Sequence, residues 1–122
     1  SENAYILSED PNVIYMDQMK ATIYMNDGRV IIITSDKGKY SKLNSNMWFV
    51  DNVRATDGKT VILSGNLDLL ASKDTASIYN NVSITNPNGT IKSDKIDYNF
   101  ETKYYRATMM TREEKVKVKI VR

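Results

Sequence analysis

Apolar and polar residues alternate along most of this chain, and the alternation is written in phrases that return. ITSDKGKY begins at Ile33, ILSGNLDL at Ile62 and IKSDKIDY at Ile91, a step of 29 residues each time. A second phrase keeps the same step, since Phe49-Val50-Asp51-Asn52-Val53-Arg54-Ala55-Thr56 returns as Ile78-Tyr79-Asn80-Asn81-Val82-Ser83-Ile84-Thr85. Period-two alternation is the mark of a half-buried strand, and a fixed repeat of this length is the mark of stacked supersecondary units. Asp27-Gly28, Asp57-Gly58 and Asn88-Gly89 fall between the phrases. These are reversal dipeptides, because both residue types tolerate the positive φ of tight turns. The pattern predicts strands over 13–17, 19–26, 29–40, 47–56, 59–70, 76–85, 90–98, 103–110 and 115–121, with no helix. Leu67–Thr75, the best helical candidate, reads better as a strand end and a turn. The fold class is therefore all-β, one antiparallel meander of hairpin repeats.

Parity within the phrase carries more. Ile33 and Ser35, Ile62 and Ser64, and Ile91 and Ser93 share a face, whereas Leu67, Leu69, Ile96 and Tyr98 follow the serine at odd spacing. A parity slip inside a continuous strand marks a bulge or bend. We place it at Asp36-Lys37, Gly65-Asn66 and Asp94-Lys95, where three bends in register would fold the sheet over with one apolar face inward on both halves.

These segments, written generally as [IV]-x-[SA]-D-x-x-x-Y and N-V-x-[IA]-T, resemble the lipopolysaccharide export family of LptC, LptA and OstA-type domains. The stretch from Tyr15-Met16-Asp17 through Ala21–Gly28 and Val30–Tyr40 is most similar to LptC, and the similarity runs from about Val13 to Met110. The resemblance implies an open β-jellyroll, or β-taco, whose apolar interior shields lipid acyl chains in the periplasm. It implies lipopolysaccharide as ligand, and as partners an inner-membrane ATP-driven lipopolysaccharide transporter and a periplasmic LptA-like bridge protein. It also implies inner-membrane anchoring through an N-terminal helix outside this sequence. Whether the role is that of LptC or of LptA stays open. Residues 13–122 form the domain on this reading, and 1–12 an extension or processing remnant, since the chain opens on Ser1.

Composition narrows the chemistry. With no His and no Cys, serine and cysteine nucleophile arrangements and the usual zinc sites are out of reach, so we expect no enzyme, metal or cofactor. A net charge of +2, with no basic patch interleaved with aromatics, argues against nucleic acid. The longest apolar run, Val30–Ile33, is far short of a membrane span. Ala55–Thr60 ends like a phosphate loop but lacks the earlier glycine and the following helix. Glu9-Asp10 and Glu113-Glu114 read as solvated turns, and the two Asn-x-Ser/Thr patterns, from Asn81 and Asn88, as coincidence.

Two surfaces remain as candidates. Ile33, Phe49, Val53, Ile62, Leu67, Ile78, Val82, Ile84, Ile91 and Ile96 would line a lipid groove or, equally on sequence alone, fill a closed core. Small inward residues (Ser35, Ser64, Ser93, Ala55) would pack a closed core poorly and so favour the groove. Val116, Lys117, Val118, Lys119 and Ile120 would form a free edge strand, either guarded by its lysines or open to strand addition by a partner. The other free edge is expected near Val13–Asp17. The alternative function is a structural adaptor that assembles through its edges without lipid; a carbohydrate-binding domain using its scattered tyrosines is disfavoured.

Overall fold

A computed structural model of the chain describes residues 3–110 and 115–121, with side chains for residues 4–108. Among them the architecture is a single nine-stranded antiparallel sheet in sequential order: β1 (Asn3–Leu7), β2 (Asp10–Tyr24), β3 (Val30–Ser41), β4 (Met47–Thr56), β5 (Val61–Leu70), β6 (Thr75–Asn86), β7 (Gly89–Asn99), β8 (Tyr104–Met110) and β9 (Lys115–Val121). The order is linear, so β1 and β9 remain edges and no barrel closes. The helical candidate resolves as expected: β5 runs to Leu70, followed by a 3-10 turn over Ala71–Lys73 that Asp74 ends at φ 54°. Ala55–Thr60 is a strand end and a turn, in which the Asp57 carboxylate accepts the amides of Lys59 and Thr60 and Gly58 takes φ 99°.

The N-terminus departs from expectation. The strands expected over 13–17 and 19–26 are one, the 15-residue β2, which ends at Tyr24. Asn3–Leu7, within the stretch read as an extension, adds a strand of its own to β2, with Tyr5 opposite Tyr15 and Ile6 opposite Ile14. Of the expected edge at Val13–Asp17, Ile14 to Asp17 is thus paired on both sides, and the N-terminal edge is β1. Stacked Tyr5 and Tyr15 rings, 5.5 Å apart, are a cross-strand contact that period-two alternation in so short a strand signals only weakly.

The parity slip lies where the sequence placed it, but the extra residue belongs to the neighbouring strands. Between Thr34 and Lys37 of β3, β4 carries one more residue from Arg54 to Val50. The same excess on β6 faces β5 and β7. Asp51 and Asn52 hold it in β4, and Asn80 and Asn81 in β6, all four at φ between 52° and 67°. Asn and Asp are the side-chain-bearing residues that visit this left-handed region most readily. Gln18 in β2 takes φ 56° on the same line. The Asn52 amide donates to the Asp36 carboxylate at 2.6 Å, and the Asn80 amide to the Asn66 side-chain oxygen at 2.6 Å. Gly65 lets β5 approach β6 here, since a Cβ on it would lie 2.9 Å from the Asn80 Cβ.

Serine closes the bend from inside. Ser35 donates to the Lys37 carbonyl at 2.8 Å, Ser64 to the Asn66 carbonyl at 3.0 Å and Ser93 to the Lys95 carbonyl at 2.9 Å. The three serines are inward, buried and satisfied. They are crease fasteners, not the loose polar lining that argued for a groove.

The crease divides the sheet into two leaves of unequal width. Ladder pairing on one side of it joins only β2 to β7, from Met19–Tyr24 across to Gly89–Ser93. On the other side it runs from β1 through β9. β8 meets β7 only from Lys95 to Tyr98. A six-strand narrow leaf thus folds over a nine-strand broad leaf.

Candidate functional site

The inner face is built row by row. In the broad leaf, Phe49, Leu67, Ile78 and Ile96 are successive ladder partners, continued by Ala107. In the narrow leaf Ile33, Ala55, Ile62, Ile84 and Ile91 form the corresponding row. Val53 and Val82 sit beside the crease, each opposite one of the serines. Residues sharing a face of a strand stand in register across the ladder, so each row presents a continuous apolar stripe.

Seven of the ten expected lining residues are deeply buried: Ile33, Phe49, Val53, Leu67, Ile78, Val82 and Ile96. Ile62 and Ile84 are half-buried against that cluster. Ile91 lies on the same stripe but is 52% exposed. Its strand ends the narrow leaf, and no neighbour covers it beyond. Periodicity placed Ile91 on the correct face; only the width of the leaf set its exposure.

Residues the pattern did not single out as lining also belong here. Met19 is 2% exposed, with its sulfur close to the space a side chain on Gly38 would need. Ala76 and Leu69 complete the broad-leaf interior, and parity within their strands was the available signal. Tyr98 stacks on Tyr105 at 4.4 Å and meets Phe100 edge-on at 5.2 Å. The Tyr98 hydroxyl is buried without a well-formed hydrogen bond.

Between the leaves lies an apolar cavity of about 70 Å³, lined from the narrow leaf by Ile31, Ile33, Ala55 and Ile62 and from the broad leaf by Leu67, Ala76, Ile78 and Tyr98. That is smaller than the roughly 150 Å³ cavity that admits benzene. The leaves touch in this conformation, and the interior is close to a packed core.

The outer face is ordered by polar cross-strand pairs, although Val30, Ile32 and Leu63 of the narrow leaf are exposed. Lys39 lies over the Trp48 ring at 4.8 Å. Asp68 accepts the Tyr79 hydroxyl at 3.1 Å, and its carboxyl is pushed above the ordinary value chiefly by partial burial. Ser77 donates to Asp97 at 2.7 Å. Glu9-Asp10 lies where β1 turns into β2, whereas Glu113-Glu114 falls outside the described residues. No group of three or more acidic side chains is placed to hold a metal among the described residues, and no helix there is long and apolar enough to cross a membrane. The backbone of Lys115–Val121 forms β9, paired to β8 from Tyr104 opposite Val121 to Met110 opposite Lys115. The side chains of Val116, Lys117, Val118, Lys119 and Ile120 lie outside the described residues.

Comparison with known proteins agrees with this geometry. Residues 4–107 match the sequence profile of a family described as lipopolysaccharide-assembly, LptC-related. A search of curated proteins finds no match. Among solved structures, the chain is similar to LptH, the LptA-homologous periplasmic component of the conserved lipopolysaccharide transport device of Pseudomonas aeruginosa. The TM-score is 0.64 at 10% identity, over 100% of this chain and 92% of that one. At that identity the likeness shows the fold: an LptA-like β-jellyroll.

Proposed function

We propose, from the premise that this chain belongs to the LptC-related family of lipopolysaccharide-assembly proteins, that it is a non-enzymatic carrier of lipopolysaccharide in the periplasm. It would shield acyl chains between its two leaves and pass them from an inner-membrane ATP-driven transporter to an LptA-like bridge protein. The observation that carries this reading is the unequal width of the leaves. The broad leaf continues onto β8 past the last strand of the narrow leaf, where Ala107 stays buried, while the narrow-leaf stripe ends at Ile91, 52% exposed, so apolar inner surface meets water at the C-terminal end. A self-contained sandwich gains nothing from an apolar face extended beyond its cover. A conduit that a second domain continues requires one.

Edge geometry supports the assembly half of the proposal. β9 has a partner on one side only, and an unpaired strand edge favours augmentation by another chain. We assign the bridge protein to this edge and the membrane complex to the edge at β1.

The near-closed cavity favours a second reading, a structural adaptor that assembles through its edges and holds no lipid. Photo-crosslinking separates the two. A crosslinker at Ile62 or Ile91, on the inner stripe, is expected to capture lipopolysaccharide, and one at Thr34 or Lys92, on the outer face, is not. Equal labelling from both faces would end the groove reading and leave the adaptor.

A further inference from the structure

A carrier whose interior is nearly shut must open somewhere, and the structure marks the place. A pocket of about 370 Å³ lies where the β2–β3 turn of the narrow leaf meets turns of the broad leaf; Tyr24 and Asn26 line it from one lip, Ser45, Ala71 and Lys103 from the other. Ile23, Met25, Leu69 and Phe100 line both this pocket and the inner cavity. These four side chains form a collar between an outer antechamber and the core, apolar on every side. A chain of methylene groups passing this way would meet apolar surface at the collar.

Polar groups stand across the collar. Arg29, on the narrow leaf, and Tyr98, on the broad leaf, both line the inner cavity. Asp27 holds the Arg29 guanidinium at 2.8 Å. The Tyr98 hydroxyl is fully enclosed and lacks a well-formed hydrogen bond, although the guanidinium is near enough for that hydroxyl to raise the affinity of Arg29 for its proton. Lys103, on the opposite lip, contributes to holding the Asp27 carboxyl below its ordinary value, a smaller influence than the Arg29 backbone amide. Groups that attract across a gap without completing a hydrogen bond hold it shut weakly, since a buried hydroxyl left unsatisfied is stabilised when water reaches it.

We propose that the fatty acyl chains of the lipid pass between the leaves through this collar, and that Arg29 and Tyr98 form the polar latch that keeps it closed in the empty protein. The latch rests on the carrier reading above and adds the place and the means of opening. The occupant is an acyl chain because the collar itself is apolar; Asp27, Asp74 and Lys103 line the outer pocket, where a headgroup would stay in water, and Arg29 reaches the inner cavity.

The chain has no cysteine, so two can be introduced cleanly. Asn26→Cys and Ala71→Cys place one thiol on each lip. The protein bridged by a bismaleimide is compared with the same protein capped by a monomaleimide, using purified lipid A as probe and time-resolved co-elution as readout. Bridging is expected to slow loading at least tenfold. Arg29→Gln and Tyr98→Phe, unbridged, are each expected to load several-fold faster than the parent with the melting temperature retained. Equal loading of bridged and capped protein would overturn the collar as the way in. Unchanged or slower loading by both latch variants would overturn the latch. If the capped protein and the unmodified parent also stay empty, the carrier reading itself fails and takes this proposal with it. That outcome is distinct, because it appears without the bridge.

Discussion

The two leaves are made from one repeated phrase, yet they are held together differently. In the broad leaf the central row, Phe49, Leu67, Ile78 and Ile96, is at most 4% exposed, with Phe49 at zero. In the narrow leaf the corresponding row begins buried at Ile33, is half-buried at Ile62 and Ile84 and ends exposed at Ile91. Nothing in the three isoleucines at 29-residue spacing foretells that gradient. It follows position in the narrow leaf: Ile33, Ile62 and Ile84 have a paired strand on either side, whereas Ile91 stands on β7, the last strand of that leaf, which meets β8 only from Lys95 onward. A repeated sequence specifies which face points inward; its neighbours determine how much water that face keeps.

Four measurements would sharpen or break this contrast, beginning with the largest expected effect. Phe49→Ala should remove about 3–5 kcal/mol from stability in urea unfolding, the usual cost of emptying a fully enclosed aromatic site. A loss below about 1 kcal/mol would show that the broad leaf is not the anchored half. Next, Ile33→Ala is expected to cost about 2–5 kcal/mol. Ile91→Ala, the same position two repeats on, should cost less than about 1 kcal/mol, close to a surface change. Equal costs would mean that the narrow leaf is covered to its end.

The crease gives the third test. Gly65→Ala drives a Cβ to within 2.9 Å of the Asn80 Cβ, a contact anchored by backbone on both sides. It should destabilise the fold by about 1–3 kcal/mol, whereas the exposed turn at Gly28 has open space around its missing Cβ. Differential scanning calorimetry of Gly65→Ala would reveal a crease that yields freely if no loss appears. The smallest effect separates two equivalent serines. Ser64→Ala and Ser93→Ala should each cost about 1 kcal/mol for a lost buried hydrogen bond. Only Ser93 also reaches the Thr108 carbonyl, at 2.9 Å, and so ties β8 to the end of the narrow leaf. Hydrogen exchange should therefore quicken in β8 for Ser93→Ala and not for Ser64→Ala. The same change in both would assign β8 to the floor alone.

Much of this architecture was legible in the residues. Alternation gave the strands from β3 to β9 to within a few positions, and the parity change after Ser35, Ser64 and Ser93 located the crease, because side-chain direction in a strand is a local property with a period of two. Membership of the export family was legible in the same phrases. β1 was missed because five residues carry too little alternation to stand out; its support is the facing strand, not its own pattern. The bulge was assigned to the wrong strands because parity reports that a slip exists between two ladders, while the left-handed Asp51-Asn52 and Asn80-Asn81 pairs that hold the extra residue are local backbone states that alternation does not register. The serines were read as weak packing when their hydroxyls in fact donate to the Lys37, Asn66 and Lys95 carbonyls across the bend.

By itself, then, the sequence determined the strand order, the inward face and the line of folding, all consequences of short-range stereochemistry repeated at a fixed interval. Tertiary structure alone decided how wide each leaf is, how closely the leaves meet and which side chains face one another across the mouth. Arg29 and Tyr98 are 69 positions apart, the first in the β2–β3 turn of the narrow leaf and the second on β7 in the broad leaf. No periodicity relates them; they meet because the crease folds one leaf over the other, and burial of the apolar stripes between the leaves makes that folding favourable.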